Sequence, residues 1–248
     1  MPSLETSVLL FVAGLVSWTI GIFSGGGGSL VLLAVVTHLI RVKTIAPVIT
    51  IASLMASPAR IVVSWRLVEW QVVRWYLPGA IGGAIVGSWF FTFAAASWLR
   101  VIVGLFLIST PFQYRFGSRA KSFPMRLVWF VPLSFAVGLI SGVIGASSLV
   151  SAPFYLNYGL TKERMIATGA VHSLFIQLTE IATYGSLGVL ASGSILEGVL
   201  AGAGAIVAIL ATRRWLDRFQ EIWFRRLAIV LMLLSGLSLL WRSRRLLF

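Results

Sequence analysis

Residues 13–36 read AGLVSWTIGIFSGGGGSLVLLAVV, an apolar segment cut by four consecutive glycines, Gly25 to Gly28, between Ser24 and Ser29. A second stretch, VGLISGVIGASSLVSAPFYLNY at 137–158, repeats the arrangement with its interruption at Gly145-Ala146-Ser147-Ser148. Gly14 and Gly138, and likewise Gly21 and Gly145, stand 124 residues apart. Each interruption is followed by a short apolar run, 29–40 and 147–158, too short to cross about 30 Å of hydrocarbon. Each half then carries a basic pair (Arg41 and Lys43; Lys162 and Arg164), a helix with one polar stripe, and two more apolar segments.

The surrounding composition demands a bilayer. Of 248 residues 58% are hydrophobic and 11% charged, and mean hydropathy is +0.97. A soluble domain carries about 25% charged residues. Spans are expected near 7–24, 43–65, 72–96, 125–145, 162–190, 193–212 and 222–241, with a shorter run at 97–114. The net charge of +13 does not indicate nucleic acid, because basic residues sit beside tryptophan in the gaps between apolar runs, as in Trp65-Arg66 and Arg214-Trp215. That is an interfacial belt with snorkelling cations. Trp70, Trp75, Trp215 and Trp223 read as anchors, and His38 as an interfacial residue. The first apolar run has no basic region before it and is expected to stay in the mature chain.

The expected fold is therefore all-α: a polytopic transmembrane helical bundle of two pseudo-symmetric repeats with broken or re-entrant helices. Residues 1–248 form one membrane domain, with repeats at 1–114 and 125–248 and a basic linker at 115–124. If each broken pair re-enters on one side, the copies are inverted and Lys and Arg divide thirteen against six. If each pair crosses once, the copies are parallel and the division is nine against ten. The positive-inside rule prefers inversion.

Glycine runs weaken a helix by about 1 kcal/mol each relative to alanine, and unpaired backbone in hydrocarbon costs several kcal/mol per group. Such a break survives where protein or a watery cavity satisfies it. The following helix then points its free amides into the gap, an anion site by dipole and by donors. Close packing is the competing reading, and it suits the spaced Gly79, Gly83 and Gly87 better than the run Gly25–Gly28.

Two polar stripes accompany the breaks. Thr50, Ser53, Ser57, Arg60 and Ser64 share one helical face, as do Gly169, Ser173, Gln177, Glu180 and Tyr184, with Thr168 and His172 on the adjoining edge. Ionisable groups inside a span face the bundle interior and serve a function. The expected anion-binding set is Ser24, Gly25, Gly26, Gly27, Gly28, Ser29, Ser53, Ser57, Arg60, Ser147, Ser148, Thr168, Ser173 and Gln177, with His172 or Glu180 exchanging protons. Against this stand a snorkelling Arg60 and a structurally paired Glu180. Without cysteine, and with two histidines and a single aspartate, Asp217, the chain offers no thiolate or metal cluster and no Ser/His/Asp set. No Gly-Lys-Ser/Thr loop follows the glycines. No enzyme, cofactor or metal is expected.

The first repeat, in GLVSWTIGIFSGGGGSLVLL, APVITIASLMASPARIVVSW and VEWQVVRWYLPGAIGGAIVGSW, resembles the TauE/SafE sulfite-exporter family. The second, from Gly138 to Gly188, resembles that family's second copy, though Ala146-Ser147-Ser148-Leu149 stands where glycines are typical. The resemblance implies a permease of the cytoplasmic membrane for small anions, chiefly sulfite and organosulfonates, with proton coupling as an expectation. Its partners would be the anion and the lipid bilayer, not nucleic acid, with a homodimer left open. A passive anion channel and a membrane subunit that organises an enzyme complex are the alternatives.

Overall fold

In the computed structural model, residues 4–24, 27–117, 123–146, 150–212 and 221–247 are described. Among them every regular element is helical: α1 (Leu4–Phe23), α2 (Gly28–Val36), α3 (Val42–Ser64), α4 (Trp70–Phe93), α5 (Ala96–Ile108), α6 (Thr110–Gly117), α7 (Phe130–Ile144), α8 (Ala152–Tyr158), α9 (Lys162–Ser186), α10 (Ser192–Thr212) and α11 (Glu221–Leu247). Among the described residues six segments are long and apolar enough to cross a membrane: five within α1, α3, α4, α9 and α10, and Leu127–Ile144, which begins just before α7. Large apolar side chains such as Trp89, Phe93, Leu210 and Leu234 point outward, as a lipid-facing surface requires. The chain is a multi-pass membrane protein. The run expected at 97–114 is divided at Ser109, which ends α5 before α6 begins.

The two short helices have different surroundings. At 1.5 Å per residue, nine-residue α2 is about 14 Å long, too short to span. It is apolar on every side, and Leu30 through Leu33 have no exposed surface, enclosed by α1, α3 and α11. Seven-residue α8 begins with Pro153 at its first turn and stops at Gly159, whose φ of 103° is left-handed.

Small residues bring the long helices together. A Cβ placed on Gly79 would strike the Val131 carbonyl, one on Gly83 the Phe135 carbonyl and one on Gly87 the Leu139 carbonyl. The α4–α7 pair is thus parallel, since partner numbers rise together. Gly138 and Gly142 of α7 meet Ala80 and Ala84 of α4 from the other side. On the opposite flank Gly14 of α1 rests on Ala201 of α10, and Gly198 and Gly202 of α10 rest on Ile51 and Met55 of α3. The packing reading of Gly79, Gly83 and Gly87 therefore holds.

The helix partners follow an exchange rule. Counting α7–α11 as counterparts of α1–α5, α1 packs on α10 as α7 packs on α4, and α3 on α10 as α9 on α4. The counterpart pairs α3–α9 and α5–α11 pack on each other. Along α3 from Thr50 to Ser57 the partners on α9 fall from Glu180 to Gln177, so these two run antiparallel. The rule does not hold throughout. α11 packs on both α1 and α2, whereas between α5 and α7 there is an apolar crevice of about 530 Å³, lined by Ile102, Phe106, Leu139 and Val143 among others.

Candidate functional site

The two interruptions meet. Gly27 adopts φ 111°, a left-handed turn that ends the break and lets α2 start at Gly28. Only the Leu30 and Val31 amides reach back to the Gly27 carbonyl. The first amides of α2 therefore have no intrahelical acceptor, as at any helix start. Gly145, with φ 82°, ends α7, and a Cβ there would come within 2.9 Å of the Ala46 carbonyl. Gly27, Gly28 and Ser29 from one break and Gly145 and Ala146 from the other line a single mostly polar cavity of about 30 Å³. That is room for one or two waters. Two larger clefts, of about 730 and 530 Å³, are lined almost wholly by apolar side chains.

The stripes close the cavity from the sides. Ser53 and Arg60 of α3 line it together with Ser173, Ile176 and Gln177 of α9, Trp18 of α1 and Ser141 of α7. Ser57 lies just behind them. Its hydroxyl is 2.9 Å from both the Ser53 carbonyl and the Gln177 Oε1, and it accepts from Arg60 Nη2 at 3.2 Å. The single Ser57 hydrogen serves one of these two acceptors at a time; when it goes to Gln177 Oε1, the amide's NH2 end is free to donate elsewhere. The Nε of Arg60 and the hydroxyl of Ser53 are buried with no hydrogen-bond partner. Among the described residues Arg60 has no carboxylate partner either. A guanidinium, hydroxyls and helix-start N–H groups around one enclosed space offer mostly donors, the chemistry that suits water or an anion.

Not every expected residue reaches this cavity. The Ser24 hydroxyl turns back to the Gly21 carbonyl at 3.1 Å, closing the end of α1. Thr168 accepts from the Glu69 amide at 3.0 Å, where the chain enters α4. Close by, Arg164 and Glu69 form an ion pair of 2.9 Å between α9 and the start of α4. The His172 ring stacks on Tyr76 at 3.8 Å and 3°, and its Nδ1 bonds the Tyr155 hydroxyl. It belongs to an aromatic cluster with Phe130 rather than to the cavity lining. Glu180 is fully buried and accepts from the Thr50 hydroxyl at 2.7 Å. Gly25, Gly26, Ser147 and Ser148 lie outside the described residues, as do parts of the linker. His38 keeps its exposed position and meets Ser235 of α11 at 3.3 Å.

Gly145 and Ala146, in the second break that the sequence marked, do line the cavity, whereas sequence reasoning missed Trp18, Ser141 and Ile176. Trp18 is there because a Cβ on Gly28 would sit 3.0 Å from its ring, so the indole packs flat on the helix start. Ser141 lies one turn before the second break, a spacing that could have marked it.

The cavity, the paired interruptions and the spans together describe a membrane protein that encloses a small polar space. Comparison with known proteins bears on the same conclusion: residues 10–239 match the family described as Sulfite exporter TauE/SafE. No curated protein and no solved structure matches the chain. By a match that runs over nearly its whole length, this chain belongs to the TauE/SafE sulfite exporter family, a family of transporters.

Proposed function

We propose that the chain is a secondary transporter of the cytoplasmic membrane that moves a small sulfur-containing anion, sulfite or an organosulfonate, by alternating access. The observation that carries this reading is the cavity where both helix interruptions meet an Arg60 that has no acidic partner among the described residues. A lone cation in a span is expensive to keep and marks a substrate path. The binding set is Gly27, Gly28, Ser29, Ser53, Arg60, Ser173 and Gln177, with Ser57 fixing the orientation of Arg60 and Gln177. Ser24 and Thr168 act by holding helix ends.

Two inverted repeats, 1–114 and 125–248, supply the moving parts. The antiparallel course of α3 against α9 and the exchange of helix partners between halves support that arrangement. In alternating access the open α5–α7 crevice closes while α11 parts from α1 and α2.

The deciding experiment reconstitutes purified protein in liposomes and measures uptake of sulfite, thiosulfate, sulfoacetate, taurine and carboxylates. Saturable uptake of a sulfur anion with trans-stimulation by the same anion supports the transporter. Linear, voltage-driven flux without trans-stimulation indicates a channel, and no flux of any anion removes the reading.

A further inference from the structure

We infer that Glu180 is the proton site of this protein and that one proton crosses with each monovalent anion bound at Arg60; the inference rests on the transporter reading above. Glu180 lies in the C-terminal half of α9, six residues before its end, with no exposed surface. Its Oε2 accepts from Thr50 at 2.7 Å, and its Oε1 has no hydrogen-bond partner. The next polar side chain facing the carboxyl is Ser141, which is itself part of the cavity wall. One hydroxyl therefore separates the carboxyl from the anion cavity. Its open oxygen is where a proton fits.

The charged and titratable groups on the elements packed against α9 leave Glu180 without a counter-ion. On α3 these are Lys43 and Arg60; Lys43 reaches the Thr92 and Ala94 carbonyls at the end of α4. Arg66 follows α3, and Glu69, Arg74 and Tyr76 belong to α4 and its start. Tyr155 and Tyr158 lie on α8, and α7 has none. On α9 itself the His172 ring faces Tyr76 and Tyr155, and the Tyr184 hydroxyl donates to the Gly142 carbonyl. Among the described residues no Lys, Arg or His is in an ion pair with Glu180.

Charge balance then links the two sites. In a low-dielectric interior a net charge is costly, and oppositely charged groups that do not touch still interact. Without an anion, the positive Arg60 and the ionised Glu180 sum to zero. With a monovalent anion at Arg60, the sum returns to zero when Glu180 takes a proton from water on the same side. Anion and proton strengthen each other's binding by the same factor, and on the other side both leave. The step is electroneutral, and no bond other than the O–H is made or broken.

The test uses the full chain with radiolabelled methanesulfonate, which unlike sulfite does not titrate near neutral pH, alongside sulfite. In liposomes, an inside-alkaline gradient should raise wild-type accumulation about tenfold, and Glu180→Gln should abolish that rise while still exchanging labelled for unlabelled anion. In weakly buffered detergent solution, wild-type protein should take up close to one proton per anion bound. This second measurement needs no variant, so a Glu180→Gln chain that does not fold leaves the inference open to refutation. Gradient-independent uptake by wild-type protein, or anion binding without proton uptake, overturns the inference while the transporter stands. Absence of any anion flux removes the transporter reading and this inference with it.

Discussion

The Ser57 hydroxyl of α3 and the Gln177 side-chain oxygen of α9 lie 2.9 Å apart, at the crossing of the two polar stripes. Because the helices run antiparallel there, their two ionisable residues are carried to opposite sides of the crossing. Glu180 goes to Thr50 and Arg60 stays with Ser57. The two charges are separated in space, and among the described residues each is without an ionic partner. That separation is what lets one serve an anion and the other a proton.

Arg60→Gln should weaken anion uptake more than it weakens the fold. Removing one charge-assisted hydrogen bond costs about 1.5–3 kcal/mol, which is roughly a 10- to 100-fold rise in the KM for sulfite. Among the described residues Arg60 has no salt bridge to lose, so the melting temperature in detergent should stay within a few degrees. Unchanged uptake kinetics would remove Arg60 from the site.

Gly27→Ala tests the first break. Its φ of 111° is left-handed, and an L-residue there is strained by about 1–2 kcal/mol. The expected outcome is an α2 start displaced from the cavity, with uptake reduced at least tenfold and expression retained. Gly193→Ala is the control, since a Cβ there meets nothing within 4 Å.

Gly83→Val should act on the fold. Its side chain would overlap the Phe135 carbonyl and the Leu139 amide, which are backbone and cannot move aside. Overpacking of this kind costs about 1–3 kcal/mol or more. Thermal unfolding followed by size-exclusion chromatography should show a melting point several degrees lower, and a wild-type melting curve would contradict the α4–α7 packing.

His172→Phe separates stability from coupling. The phenyl ring keeps the stack on Tyr76 but removes the hydrogen bond between His172 and the Tyr155 hydroxyl, a loss of about 0.5–1.5 kcal/mol. The melting temperature should fall while the pH dependence of uptake keeps its wild-type shape. A shifted pH profile would return His172 to the list of proton carriers.

The native chain has no cysteine, so paired cysteines can probe the crevice between α5 and α7 directly. Phe106→Cys with Leu139→Cys places one thiol on each wall. Oxidation should trap the closed form and stop uptake, and reductant should restore it. Failure to form the bond during turnover would argue against closure at this crevice.

How much of this was legible beforehand differs from residue to residue. Apolar run lengths and sparse charge alone determined a helical membrane protein, because hydrocarbon leaves the backbone no alternative; six of the seven expected spans are among the candidate spans of the described residues, and the one at 222–241 falls in α11, which is a helix but not one of the six. The glycine run and Gly145 marked both interruptions, and the 3- and 4-residue spacings put Ser53, Ser57, Arg60, Ser173 and Gln177 on inward faces. Helical periodicity assigns a face but not the neighbour opposite it. Only the tertiary packing decided that Arg60 looks into the cavity, that Glu180 turns to Thr50, and that His172 is stacked among aromatics. It also recruited Trp18 and Ser141. Those choices depend on how far α3 slides along α9 and how closely α4 and α7 approach, quantities fixed by contacts between residues distant in the chain.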